Sequence, residues 1–190
     1  MKRIIHRIHP VPFLALGFTL WSGLANAATQ GTLGATSTGS ANISITKAMQ
    51  AQITDIQDMT LASWSIGDGA VTLTTNACVY SSTGSYKVTA TGSGTANAFT
   101  LASGSNSLTY SVTWNAGGAG GLANTGTALT TNVQSASFSN ASTSSATCSG
   151  GGAANDTARV IVGITNSAMV AAPASATPYT GTLTMLITPF

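Results

Sequence analysis

The sequence predicts an all-β fold, an antiparallel β-sandwich, and three observations predict it. Apolar and polar residues alternate with period two through most of residues 41–190. Clusters of Gly, Ser, Asn and Asp separate these alternating segments, as turns do between short strands. Helical spacing is scarce between them, so nothing indicates the βαβ units that would build a parallel sheet.

The strand segments follow one another along the chain. The clearest are residues 41–48, 70–78, 85–91, 107–114, 157–165 and 179–188. In the fourth, Leu108, Tyr110, Val112 and Trp114 alternate toward one face. Weaker strands are predicted at residues 49–56, 59–66, 98–102 and 133–138. Turns are predicted at residues 67–69, 81–84, 92–94 and 104–106.

The first 27 residues have the pattern of a secretory signal peptide. Lys2, Arg3 and Arg7 precede an apolar stretch at residues 11–20, and an Ala-Asn-Ala site ends at Ala27. We therefore expect an exported protein, passing through the periplasm to the cell surface. Residues 28–40, rich in Gly, Ser and Thr, are expected to be a flexible arm, and residues 41–190 a single domain. No second long apolar segment predicts a membrane span in the mature chain.

The composition after residue 27 offers little for catalysis. Both histidines precede the expected cleavage site, and the chain has no glutamate. Three cations and four aspartates remain, and 3 − 4 gives a net charge of −1. This balance disfavours nucleic acid as a partner. We predict no enzyme, no cofactor and no metal site. Asp55 and Asp58 are expected at a strand end or turn facing solvent, and Asp68 in a Gly-Asp-Gly turn.

The two cysteines, Cys78 and Cys148, most simply form one disulfide in an exported chain. Closing a loop of about seventy residues would stabilise the fold by roughly 4 kcal/mol. A metal site is the alternative, but two thiols without histidine or a CxxC spacing make a poor ligand set.

Three segments carry a resemblance to a known family: residues 42–46 (NISIT), 108–114 (LTYSVTW) and 179–187 (YTGTLTMLI). Together with the leader, they resemble chaperone-usher pilins, especially alpha-type (class 5) fimbrial major subunits and, more loosely, spore coat protein U domains. The resemblance implies an immunoglobulin-like sandwich of about seven to nine strands that lacks its final strand. A periplasmic chaperone, and then the N-terminal strand of a like subunit, would fill the gap during export through an outer-membrane usher. The product would be a fimbrium with a possible role in cell adhesion.

The resemblance also assigns residues to this assembly. It places the donor strand at residues 41–47. The residues assigned to the donor contact are Ala41, Ile43, Ile45 and Lys47. Burying the two isoleucines in a neighbour would contribute roughly 3 to 6 kcal/mol before ordering costs. It places the C-terminal edge strand and chaperone contact at Tyr179, Gly181, Leu183, Met185 and Ile187.

The second interpretation is a self-contained secreted or surface-attached sandwich that binds a ligand such as a glycan. Its site would be the loops around residues 114–121, with Trp114 as a ligand contact, although a core position is the simpler role for that side chain. The question that separates the two interpretations is whether the strand at residue 41 fills its own domain.

Overall fold

The computed structural model describes residues 28–150, 152 and 154–190. The strands among them, between residues 51 and 189, form an antiparallel all-β sandwich. The predicted signal peptide lies outside the described residues. The chain divides into two compact units between Thr46 and Lys47, and the sandwich belongs to the second. The division comes six residues later than the predicted start of the domain at Ala41.

The described residues form nine strands and one α-helix. In chain order they are β1 (Ala51–Thr54), β2 (Val71–Ser81), β3 (Tyr86–Gly92), β4 (Thr100–Ser103), β5 (Asn106–Thr109), β6 (Ser111–Asn115), β7 (Thr127–Leu129), β8 (Ala158–Ile164), α1 (Asn166–Ala171) and β9 (Leu183–Pro189). Five strands make one sheet in the order β1-β2-β8-β6-β7, β3 pairs with β9, and β4 pairs with β5. Every one of these strand pairs is antiparallel, which confirms the predicted fold class.

The predicted strand at residues 107–114 is two strands, β5 and β6. The chain changes partners at Tyr110, whose backbone N–H donates to Phe99 O beside β4. Two residues later, Val112 pairs with Val162 of β8 in the five-stranded sheet. Alternation continues through this change because both segments bury the same face of the chain. Hydrophobic periodicity alone therefore could not show the break.

Other differences concern weak or short segments. Residues 59–66 form no strand, and residues 133–138 make only isolated bridges to β3. The short strand β7 and the six-residue helix α1 were not predicted. Thr165 caps α1 by accepting a hydrogen bond from Ala168 N at 3.1 Å. None of the described helices has the length and apolar character needed to cross a membrane.

The core lies between β3 and the five-stranded sheet. Its largest fully buried side chains are Trp114 and Tyr86, whose rings meet edge to face with centroids 6.3 Å apart. The predicted disulfide is confirmed: Cys78 and Cys148 are joined, with Cα atoms 5.7 Å apart. It ties buried β2 to the long loop that precedes β8.

Candidate functional site

The two neighbouring strands β3 and β9 differ sharply in how deeply their core-facing side chains are buried. In their antiparallel register Val88 faces Ile187 and Ala90 faces Met185. Residues directly opposite in an antiparallel pair point to the same face of the sheet. Val88 and Ala90 are fully buried, whereas Ile187 and Met185 are only partly buried against the same core. The core is therefore closed along β3 and incomplete along β9.

The two edges of this strand pair differ in the same way. Beyond β3, the loop at residues 131–138 takes the place of a further strand. Ser135 N donates to Val88 O at 2.9 Å, and Phe138 N donates to Tyr86 O at 2.7 Å. Beyond β9, no strand or isolated bridge in the described part of the chain pairs with residues 183–189. A strand with one free edge presents unpaired N–H and C=O groups, ready to accept another strand.

The five-stranded sheet across the core also ends beside β9. Its edge strand β1 pairs only with β2 within the described residues, and β1 lies against β9. Ile53 of β1 faces fully buried Val79 of β2, so its side chain also points to the core, yet it remains partly exposed. We call the border formed by Ile53, Leu183, Met185 and Ile187 the open edge. Two edge strands and four half-buried apolar side chains make it the candidate site for an added strand.

The predicted C-terminal strand is shorter than expected. Leu183, Met185 and Ile187 lie in β9 and point to the core, but Tyr179 and Gly181 precede the strand. Thr180 pairs with Ala102 in an isolated bridge, so the chain still follows the β4 hairpin at that point. Gly181 passes so close to Thr100 O that an added Cβ would lie 3.1 Å from it. Any larger residue at this position would push its neighbours away by a few tenths of an ångström, so the close approach favours glycine.

The predicted donor segment forms no strand here. Residues 41–50 have no regular structure, and Ala41, Ile43, Ile45 and Lys47 are all exposed. The exposed fraction is 88% for both isoleucines. In the same unit, Thr29 and Ser40 form an isolated antiparallel bridge, with Thr29 N donating to Ser40 O at 2.8 Å. The alternation seen in the sequence therefore belongs to a segment without a sheet partner.

The predicted ligand contact at Trp114 is wrong. The side chain is fully buried, and its Nε1 donates to the hydroxyl of Tyr86 at 3.1 Å. The adjoining loop borders an open depression of about 520 Å³, lined by small and polar residues with no aromatic ring. This depression therefore offers no aromatic ring on which a sugar could stack.

The aspartates divide into expected and unexpected positions. Asp68 lies in a turn, where its Oδ2 accepts a hydrogen bond from Ser65 N at 2.6 Å, as predicted. Asp58 is exposed, also as predicted. Asp55 lies at the end of β1, as predicted, but it is only partly exposed and its Oδ2 is buried instead of facing solvent. Its carboxyl group meets that of Asp156, more than one hundred residues away in sequence. No local pattern could have indicated this pair.

Comparison with protein-family models, curated proteins and solved structures found no match to the chain. The features that bear on function are therefore the geometry of the open edge and the composition of the chain.

Proposed function

We propose that the protein is a structural subunit of a bacterial surface fibre, assembled when a strand from one subunit completes the open edge of another. The observation that carries the proposal is the unequal burial of paired residues on β3 and β9. An immunoglobulin-like sandwich lacking one strand would have this kind of border.

The donor in this proposal is the segment at residues 41–47. Its alternating Ile43 and Ile45 are among the most exposed large apolar side chains of the described chain. Exposed isoleucines on an unpaired segment and half-buried apolar residues along an unpaired edge are complementary in chemistry. Strand addition would join backbone donors and acceptors, while the isoleucines would cover Leu183, Met185 and Ile187.

The proposal includes a partner for the time before assembly. A free apolar edge promotes aggregation, so an exported subunit needs temporary cover. We assign that role to a periplasmic chaperone contacting β9, and export of the fibre to an outer-membrane usher. The cell surface is the proposed destination, and adhesion is the proposed role of the fibre.

Substitutions in the donor segment test the proposal. The full chain is exported to the periplasm as wild type, as I43N/I45N, and as the matched control S44N/T46N, which changes the alternate face of the same segment. We expect multimers that withstand mild detergent from the wild type and the control, and monomers from I43N/I45N. Size-exclusion chromatography and native mass spectrometry distinguish these states.

A peptide with the sequence of residues 41–47 supplies the second arm. Added to the I43N/I45N monomer, it should bind the open edge and raise the melting temperature, whereas a peptide with both isoleucines replaced by Asn should not. A wild-type chain that stays monomeric, together with no stabilisation by the peptide, would overturn the proposal.

A further inference from the structure

β1 begins at the same end of the sandwich at which β9 finishes. Gln50, just before β1, donates its N–H to Ser82 Oγ and accepts from Ser82 N, both at 2.9 Å. Phe190, just after β9, donates its N–H to Ser85 O at 3.1 Å, in the same turn between β2 and β3. We call this the upper end. Leu183, the first residue of β9, lies at the opposite, lower end, where it pairs with the last residue of β3.

The short chain between the donor segment and β1 restricts how that segment can pair with β9. Residues 47–50 span at most about 10 Å when fully extended. The seven residues of β9 extend over about 20 Å, from Leu183 to the upper end. An antiparallel alignment places Lys47 beside Leu183 at the lower end, so within one copy the chain could not return to Gln50. Antiparallel addition therefore requires the donor segment of a second copy.

Antiparallel addition is the alignment that this fold favours. Every pair of strands among the described residues is antiparallel. Antiparallel pairing is also slightly more stable per residue than parallel pairing. The sandwich that supplies the donor segment would then lie beyond the lower end of the acceptor, so that copies follow one another head to tail.

Alternation alone leaves the register of the added strand open, because a shift by two residues keeps the isoleucines on the core face. Lys47 belongs to that same face of the donor segment. Any shift that moved Lys47 inward from Leu183 would bury its charge, which is costly without a partner. At the lower end, its alkyl stem can cover Leu183 while its ammonium group reaches solvent. This register sets the two isoleucines of the donor beside Met185 and Ile187 of β9.

An exposed carboxylate lies at the lower end. β2 begins there with Val71 and finishes beside the turn at residues 82–85, and strands of two packed sheets keep directions within about 30° of each other. Asp68 precedes Val71 closely and is exposed in the turn that leads into β2. Its Oδ2 accepts a hydrogen bond from Ser65 N at 2.6 Å. An ionised carboxylate accepts several hydrogen bonds, so Asp68 remains able to bind a cation.

We infer that Lys47 of each copy forms an ion pair with Asp68 of the next copy, in the register that sets Lys47 beside Leu183. The inference rests on the proposed fibre function and adds to it a contact between the two ends of the sandwich. Only three cations and four aspartates follow residue 27, so few competing ion pairs are available. An exposed pair adds little affinity, but it favours this register because a shift by two residues breaks it.

A double-mutant cycle in binding, measured by isothermal titration calorimetry, tests this pair. The acceptor is the full I43N/I45N chain, and the donor is a peptide of residues 41–50 with both ends blocked. K47E in the peptide should weaken binding about fivefold, and D68K in the acceptor should weaken the wild-type peptide to a similar extent. The K47E peptide and the D68K acceptor together should recover binding to within about twofold of the wild-type pair. D58K is the matched control, at an exposed aspartate beside the middle of β2, and should change binding by less than about twofold.

Two results would overturn the inference and leave the fibre proposal intact: equal binding of the wild-type and K47E peptides, or losses that the combined charge reversal does not recover. A parallel alignment would also overturn it. That alignment brings Lys47 to the upper end, near Lys87, so K87E in the acceptor and not D68K would change the binding. No binding of the wild-type peptide to the I43N/I45N acceptor would refute the fibre proposal and this inference with it. If D68K does not fold, D68N changes the turn less and should still weaken the peptide about twofold.

Discussion

β3 and β9 are partners in one sheet and carry the same alternation of apolar and polar residues, but they differ in how completely they are buried. The inward residues of β3, Tyr86, Val88 and Ala90, are fully buried. Those of β9, Leu183, Met185 and Ile187, are only partly covered. The difference lies in what adjoins each strand: the loop at residues 131–138 covers the far edge of β3, and no described strand covers that of β9. Alternation thus marks the side of a strand that faces the core. How deeply that side is buried depends on whether a further strand or loop covers the outer edge of the strand.

The largest expected effect concerns the disulfide, which braces the closed part of the sandwich. Replacing both cysteines in C78A/C148A should lower the free energy of unfolding by about 4 kcal/mol, because the loop between them becomes free in the unfolded chain. Urea denaturation without reductant measures this change. A loss below about 1 kcal/mol would mean that the closed core does not depend on the covalent brace.

The next effect is a loss of stability at high pH on the closed side. Burial raises the pKa of Tyr86 from its ordinary value of 10.0 to about 12, despite its hydrogen bond from Trp114. The folded chain therefore keeps a proton that the unfolded chain releases. Stability is fully present below about pH 10 and is lost as the pH rises toward about 12, by about 2 to 3 kcal/mol from this group.

Denaturation at a series of alkaline pH values checks the prediction, with Y86F as the matched variant. The decline should be shallower in Y86F, which has no hydroxyl to ionise. Identical pH profiles for the two proteins would assign the alkaline loss to other groups.

A smaller effect compares two residues that face each other across the two strands. V88A should cost about 2 kcal/mol, since it leaves a cavity in a closed core. I187A should cost only about 1 kcal/mol in the isolated chain, although it removes more atoms, because Ile187 is already partly in water. When the peptide of residues 41–47 is bound, the cost of I187A should rise toward that of V88A. Equal costs with and without the peptide would place its binding elsewhere.

The smallest effect is expected on the outer face of β9. Leu186 is 59% exposed and pairs with Thr89, so L186T should change the free energy of unfolding by less than about 0.5 kcal/mol. Thermal denaturation of L186T beside I187A then separates inward from outward positions of one strand. A large loss in L186T would reveal a second buried face on β9.

Sequence patterns predicted the regular parts of the fold well. Strands β2, β3, β8 and β9 overlap predicted segments, since each keeps one face on the core over at least seven residues, although β2 runs three residues beyond its predicted end. The disulfide was predicted from the number of cysteines in an exported chain. The strand at residues 41–48 was predicted on the same alternation, but the structure gives this segment no sheet partner. An alternating pattern shows that a segment is able to form a strand. The strand forms only where a sheet has an unpaired edge for that segment.

The sequence by itself determined the β class of this protein, the alternation of its strands, its single disulfide and its poverty in catalytic groups. Composition and the two-residue alternation of apolar and polar residues reflect local backbone geometry, so they can be recognised from the sequence alone. Only the tertiary structure decided that β9 and β1 end their sheets side by side with a half-covered core, that Trp114 is internal, and that Asp55 meets Asp156. These are relations between residues far apart in sequence, and they follow from the order of strands in space, which no local pattern specifies.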